Sequence, residues 1–269
     1  MADKFIDVEK VLQEKNPRLL KRLPKFVINY LKRILHQDEI NQIIEENKDL
    51  EGADFCHEII SRFQIQTDIH GLEHAPKEGG VIFVANHPLG GMDALTLVHH
   101  FAAYRPDMKF IVNDILLHLK NLNGLFVGVN KHGSNAVSSL QNVEALFASD
   151  KAIFVFPAGL VSRKIKGQVR DLKWKKTFVT RARKYEHPIV PVYIRGRLSN
   201  FFYRLSSLRQ FLGLKTNIEM LYLVNELFKQ KNKRIDITFG KPILVWELDA
   251  NVSDAEWADR IKARVYDLA

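Results

Sequence analysis

The chain has 269 residues, 46% of them apolar and 26% charged, and a net charge of +9 from 40 Lys+Arg against 31 Asp+Glu. That length buries a sizeable core and that composition excludes wholesale disorder. A single cysteine, Cys56, excludes a disulfide framework and a zinc cage of several thiolates. The longest near-apolar stretch, Ala152 to Val161, is broken by Pro157 and Gly159, so no membrane span is expected. The first residues mix acids with bases and lack an apolar core, so no secretory leader is expected either.

The positive charge is local. Asn16 to His36 holds six basic residues and no acid, and Arg163 to Lys184 holds ten against the single acid Asp171. These stretches attract polyanions: nucleic acid, anionic lipid or an acidic protein. In the first, Phe26, Val27, Ile28, Tyr30, Leu31, Ile34 and Leu35 form one wide helical face, and Lys25, Asn29, Lys32, Arg33 and His36 fill the rest. An interfacial helix needs such a face edged by cations; a core-packed helix with a solvated polar side fits the same pattern. An acidic segment, Asp38 to Glu51, follows as a second helix or a connection.

Beyond it the pattern changes. Phe63, Ile65, Thr67 and Ile69 alternate as in a half-buried strand. Compact apolar runs recur at Val81–Ala85, Lys109–Val112, Leu125–Val129, Ile153–Phe156, Ile189–Ile194 and Ile235–Phe239. Helical stretches lie between or after them at Ala94–Tyr104, Ala136–Ala148, Leu172–Tyr185, Met220–Gln230 and Ala255–Tyr266. The alternation predicts an α/β fold with a largely parallel central sheet flanked by helices. An N-terminal helical, membrane-surface segment (1–60) would precede an α/β domain (61–269).

The most informative stretch runs from Gly79 to Leu95. A buried strand ends in Asn86-His87, a Pro-Leu-Gly-Gly loop turns, and Asp93 opens a helix. Ligands of open α/β sheets sit beyond the carboxyl ends of the strands, where His87 falls. Asp93, across the Gly90-Gly91 turn, has the reach to bond one imidazole nitrogen, leaving the other to take a proton from a hydroxyl. Asp93 also fits a simple helix N-cap, and His87 a hydrogen-bonded turn residue.

Asn86-His87 followed by Asp93 resembles the signature block of the lysophospholipid and glycerolipid acyltransferases, and three later blocks agree in order. Gly124-Leu125-Phe126-Val127-Gly128-Val129-Asn130-Lys131 is similar to the family's second motif. Phe156-Pro157-Ala158-Gly159-Leu160-Val161-Ser162-Arg163 resembles the third, Phe-Pro-Glu-Gly-Thr-Arg-Ser, and Ile189-Val190-Pro191-Val192-Tyr193 the fourth. The resemblance, spanning roughly residues 60 to 245, implies acyl transfer from a thioester to a hydroxyl. In it His87 and Asp93 are the base and its partner. Asn86, Gly90, Gly91, Asn130, Lys131, Phe156, Pro157, Gly159, Ser162 and Arg163 are the substrate-binding positions; for Asn86 the alternative is holding the turn, and for Ser162 a turn or capping role fits as well.

The departures are specific. Five residues, not four, separate His87 from Asp93, and the extra one falls at Gly90-Gly91, where a glycine pair absorbs it locally. Ala158 replaces the family's glutamate, Val161 its arginine, and Asn130-Lys131 a further arginine of the acceptor site. The altered acceptor positions point to a different head group: a lyso-aminolipid of the glycine or ornithine type, with a bacterial flavour to the motif run. The alternative acceptor is 1-acyl-glycerol-3-phosphate.

No Gly-x-Ser-x-Gly elbow occurs and Cys56 lies outside every motif, so no protein nucleophile is needed. Backbone N–H groups near Gly90-Gly91 or Gly159 are candidates for stabilising the oxyanion. The second basic patch reads as a helix from Leu172 whose Lys173, Lys176, Arg183 and Lys184 would dock acyl carrier protein, coenzyme A phosphates or anionic lipid, joining Lys25, Lys32 and Arg33 of the first. No bound cofactor is expected; the thioester of acyl carrier protein or coenzyme A is the co-substrate. The expected setting is peripheral, on the cytoplasmic face of the inner membrane. A nucleic-acid module built on Trp174, Tyr185, Phe201, Phe202 and Tyr203 would have no use for His87 and Asp93. A metal hydrolase is disfavoured because His99, His100 and His118 lack ligand spacing.

Overall fold

A computed structural model describes residues 4–113, 117, 119–129 and 136–269. Four short helices open the chain: α1 (Val8–Lys15), α2 (Pro17–Arg22), α3 (Lys25–Ile34) and α4 (Gln37–Glu46). Asn41 clamps the incoming chain by exchanging two hydrogen bonds of 2.8 Å with the backbone of Ile6. Helix α5 (Gly52–Arg62) follows and sends Phe55, Cys56, Ile59 and Ile60 into the main core. Residue 60, the expected domain division, therefore lies inside a core helix. Burial raises the Cys56 thiol pKa to about 12, which leaves it an inert apolar residue.

The sheet contains β1 (Gln66–His70), β2 (Val81–Ala85), β3 (Lys109–Asn113), β4 (Phe126–Val129), β5 (Ala152–Val155), β8 (Ile189–Arg195) and β9 (Arg234–Phe239), in the order β1-β9-β8-β2-β5-β3-β4. β8, β2, β5, β3 and β4 run parallel, whereas β9 is antiparallel to β8 and parallel to β1. A separate hairpin pairs β6 (Arg163–Ile165) with β7 (Gln168–Arg170) through a two-residue turn in which Lys166 and Gly167 both have positive φ.

Central strands read as unbroken apolar runs because both sheet faces are covered. Along β2, Val81, Phe83 and Ala85 enter one core, with α5 and α6 (Gly91–Phe101). Ile82 and Val84 enter the other, with α7 (Ala136–Phe147), α8 (Thr177–Tyr185) and α11 (Asp254–Tyr266). The register sets Phe83 and Phe110 on either side of Phe154, and the three rings stack at 4.5 and 5.0 Å.

Three elements depart from the expected reading. Phe63 is buried but caps α5; the chain turns at Gln64, with φ +49°, and the strand starts only at Gln66. The second basic patch is not helical from Leu172, since α8 begins at Thr177. Before it, Lys175 N–H donates to the Pro157 carbonyl at 3.1 Å and the Trp174 indole donates to Asp171 at 2.8 Å, pinning that segment to the third motif. Met220–Gln230 begins as a 3-10 turn over Ile218–Tyr222 and continues as α10 (Leu223–Phe228). A further helix, α9 (Asn200–Phe211), lies in a stretch with no helical reading.

Candidate active site

β2, β5 and β8 are neighbours running the same way, so the loops after them converge on one edge of the sheet. Beyond β2, the Asn86 side-chain amide donates to the Ile194 carbonyl at 2.9 Å and accepts from the Ile194 N–H at 2.7 Å. Asn86 is thus a buried strap between β2 and β8 with both ends of its amide committed, the turn-holding one of its two expected roles.

The loop then folds back on itself. Gly90 adopts φ +70°, ψ −131°, a conformation strained for any residue with a side chain, and α6 starts at Gly91. This turn absorbs the additional residue. The Asp93 carboxylate, fully buried in the first turn of α6, accepts from the Leu89 N–H at 2.9 Å and lies 2.8 Å from His87 Nδ1 through the same oxygen. Burial raises the Asp93 pKa, and its bonds to His87 and Leu89 work in the opposite sense. The imidazole is 19% exposed on its side chain and stacks on Phe156, from the loop after β5, at 4.2 Å. With Nδ1 turned to a buried carboxylate, Nε2 is the nitrogen left for chemistry.

A second carboxylate, at the other end of the third motif, braces this loop. Buried Asp171 accepts from the His87 N–H at 3.2 Å, the Ser162 hydroxyl at 2.5 Å and the Trp174 indole at 2.8 Å, while Ser162 N–H donates to the His87 carbonyl at 2.8 Å. Ser162 and Asp171 together hold both polar groups of the His87 main chain. Ser162 is therefore a clamp and not an open substrate contact. Asp171 escaped the sequence reading, although a lone acid among ten bases was the signal available.

The third motif turns sharply at Gly159, with φ +66°, whose N–H donates to the Phe156 carbonyl at 3.0 Å. Ala158 and Val161, which replace charged residues of the resembled pattern, are buried in the two cores. Arg163 is 3% exposed. Its guanidinium pairs with Glu219 at 2.9 Å and lies over the Phe202 ring at 5.1 Å. Burial lowers its pKa and the Glu219 charge opposes that shift. An arginine so committed does not reach an acceptor, which corrects the expectation for Arg163. Asn130, Lys131 and His118 lie outside the described residues.

The docking cations also divide. Arg183 is structural: it pairs with Asp254 at 3.0 Å and donates to the carbonyls of Leu248, Asp249 and Val252. Lys184 pairs with Glu144 at 3.3 Å but stays largely exposed, and Lys32 pairs with Glu9. Lys25, Arg33, Lys173 and Lys176 are exposed.

A model of the acyltransferase family matches residues 10–269. The chain belongs to the acyltransferase family. Two curated relatives match nearly end to end. One, a lyso-glycine lipid O-acyltransferase of Bacteroides thetaiotaomicron, is 44% identical over 98% of this chain and 97% of its own. The other, of the same name from Phocaeicola vulgatus, is 42% identical over 98% and 95%. Among solved structures, the 1-acyl-sn-glycerophosphate acyltransferase PlsC of Thermotoga maritima is similar at 21% identity and a TM-score of 0.48, over 80% of this chain and 79% of that one. This acyltransferase is thus an acyl-transferring enzyme whose matched region takes in the N-terminal helices from α1 onward. Among its described residues no helix is long and apolar enough to cross a membrane.

Proposed function

We propose that the protein moves a fatty acyl group from an acyl thioester to the hydroxyl of a lyso-aminolipid, with lyso-glycine lipid as the acceptor and His87 as general base. The bond between His87 and Asp93 at the carboxyl edge of the parallel sheet carries the mechanism. The relatives' common name supports the acceptor.

In this mechanism the acceptor hydroxyl gives its proton to His87 Nε2 as its oxygen attacks the thioester carbonyl. The tetrahedral adduct collapses, the carbon–sulfur bond breaks, and the thiolate leaves with the proton held by His87. Ester and free thiol are the products, and the imidazole is restored. Asp93 orients the ring through Nδ1 and balances the imidazolium charge, so no covalent enzyme intermediate forms. The amino end of α6 leaves N–H groups without intrahelical acceptors, and its dipole favours the developing oxyanion near Gly90 and Gly91. Phe156 fixes the imidazole plane by stacking.

The donor is acyl carrier protein or coenzyme A thioester. Exposed Lys173, Lys176 and Lys184 supply positive charge for either, and Lys25 and Arg33 supply it for an anionic membrane surface on the cytoplasmic side. The acceptor class is tested by offering purified enzyme both donors with lyso-glycine lipid, lyso-ornithine lipid and lysophosphatidic acid. Preferential acylation of a lyso-aminolipid is expected; acylation of lysophosphatidic acid alone would overturn the acceptor assignment.

A further inference from the structure

Helix α9 is built the wrong way round for a helix that only covers a core. On a 3.6-residue turn, Phe202, Tyr203, Ser206, Arg209 and Gln210 share one arc, and Phe201, Arg204, Leu205, Leu208, Phe211 and Leu212 occupy an opposite arc of about 120°. Phe202, Tyr203 and Ser206 of the first arc are buried and Arg209 is half-buried, with Gln210 at the arc's exposed edge, although three of the five are polar. Glu219 there takes Ser206 at 3.3 Å and Arg209 at 3.0 Å, and Tyr203 OH accepts from Leu198 N–H at 3.0 Å. The start of α9 is fixed by buried Glu226, which accepts from the Ser199 N–H and hydroxyl at 2.5 and 2.6 Å. The helix is therefore anchored through polar bonds, and its apolar arc is left outside. Phe211 is 87% exposed, and Phe201, Leu208, Leu212 and the following Leu214 are also exposed.

That arc is continuous with the outer side of α3. The Phe201 ring meets Tyr222 edge-on at 4.9 Å, and the Tyr222 and Tyr30 hydroxyls are hydrogen-bonded at 2.6 Å. Beside Tyr30 on α3 stands Phe26, 73% exposed, over an open depression of 480 Å³ that both rings line with Arg33. The expected broad face of α3 is thereby split: Ile28 and Ile34 pack inward, and Phe26 and Tyr30 look out.

We propose that the outer faces of α9 and α3 form one surface that inserts into the headgroup boundary of an anionic lipid bilayer. The charge selects this occupant. From His187 to Ile218 the chain has five basic residues, Arg195, Arg197, Arg204, Arg209 and Lys215, and no acid. Four of them lie outside the Arg209–Glu219 pair, and Lys229, paired with Glu226 at 2.7 Å, sits over the Phe201 ring at 5.8 Å. Protruding aromatic and leucine side chains flanked by exposed Arg204 and Lys215 suit acyl chains below and lipid phosphates above; the stem of Arg204 can lie along the apolar arc with its head in the phosphate layer. A second copy of the chain would set like charges against each other. A contiguous run of exposed large apolar side chains marks an interaction surface. The inference deepens the reading above and rests on it only for the amphiphilic character of the acceptor.

The test is co-sedimentation of the full chain with vesicles of phosphatidylcholine, with and without phosphatidylglycerol, for wild type, Phe211→Ser/Leu212→Ser and Arg204→Gln/Lys215→Gln. Wild type should bind the anionic vesicles and release with salt. The apolar pair should lose at least about tenfold in partition, because two large side chains no longer enter the apolar layer. The charge pair should lose the preference for phosphatidylglycerol. Melting temperature and acylation of a detergent-dispersed acceptor should hold in both, which separates this surface from the catalytic reading. Wild type remaining unbound, or the apolar pair binding like wild type, would overturn the proposal. So would a dimer in sedimentation velocity that the apolar pair dissolves, or loss of acyl carrier protein binding with vesicle binding intact.

Discussion

Replacing Asp171 by asparagine keeps the shape of this side chain and removes its charge. The carboxylate accepts from the His87 N–H, the Ser162 hydroxyl and the Trp174 indole. An amide oxygen can serve the first two, but its NH2 then faces the indole N–H, donor against donor. Leaving one buried donor unsatisfied costs ~1–3 kcal/mol, which lowers the melting temperature by ~2–4 °C per kcal/mol in a chain somewhat smaller than this one. The larger effect falls on the rate. The His87 N–H bond is already long at 3.2 Å, and weakening it frees the loop that aims the imidazole; a misplacement of ~1 Å can cost ~10²-fold. We expect kcat to fall ~10–100-fold with KM for the thioester little changed, the pattern of a lost transition-state alignment. The charge of Asp171 also raises the Asp93 pKa, so its removal should move the acid limb of the kcat–pH profile to lower pH. Steady-state kinetics over a pH series with thermal melting reads all three. A lowered melting temperature with kcat and the acid limb unmoved would reduce Asp171 to a structural residue and refute the reasoning.

Gly90→Ala should cost ~1–3 kcal/mol, because it forces a strained backbone and brings a Cβ to 3.3 Å from Val161; melting should show this together with a loss of kcat, and unchanged kinetics would mean the turn does not set the dyad. Glu219→Ala leaves buried Arg163 and half-buried Arg209 without their shared carboxylate, and should destabilise by ~3–5 kcal/mol in urea unfolding. Burial and the neighbouring His100 and His57 lower the His99 pKa from 6.5 to about 4. The unfolded chain therefore takes up this proton first, and stability present above pH 6.5 is lost as pH falls toward 4. His99→Gln should flatten that loss in urea titrations at pH 7 and pH 5; an unchanged slope would contradict the assignment.

The sheet was legible because parallel strands covered on both faces leave no polar positions: β2 reads Val-Ile-Phe-Val-Ala and every residue is buried. The contact of His87 with Asp93 was legible because both residues lie on one loop, six residues apart. What stayed hidden depends on partners distant in sequence. Arg163 reads as a substrate contact and Arg183 as a docking cation, yet each pairs with a carboxylate, Glu219 or Asp254, that no local pattern announces. Leu172 to Lys176 has helical periodicity, but the bonds to Asp171 and Pro157 keep it out of a helix until Thr177. α9 escaped because large apolar residues lie on both of its sides, Phe202 and Tyr203 inward and Phe201, Leu208 and Phe211 outward, so no single stripe marked a core-facing side.

The central claim is that His87, aimed by Asp93, removes the proton of a lyso-aminolipid hydroxyl. It is tested most directly by mass-resolved acylation of lyso-glycine lipid by wild type and His87→Ala, with melting temperatures measured alongside. We predict diacylated product from wild type, and a rate ~10²–10⁴-fold lower for a variant that melts like wild type. Product formed at the wild-type rate by folded His87→Ala would contradict the account.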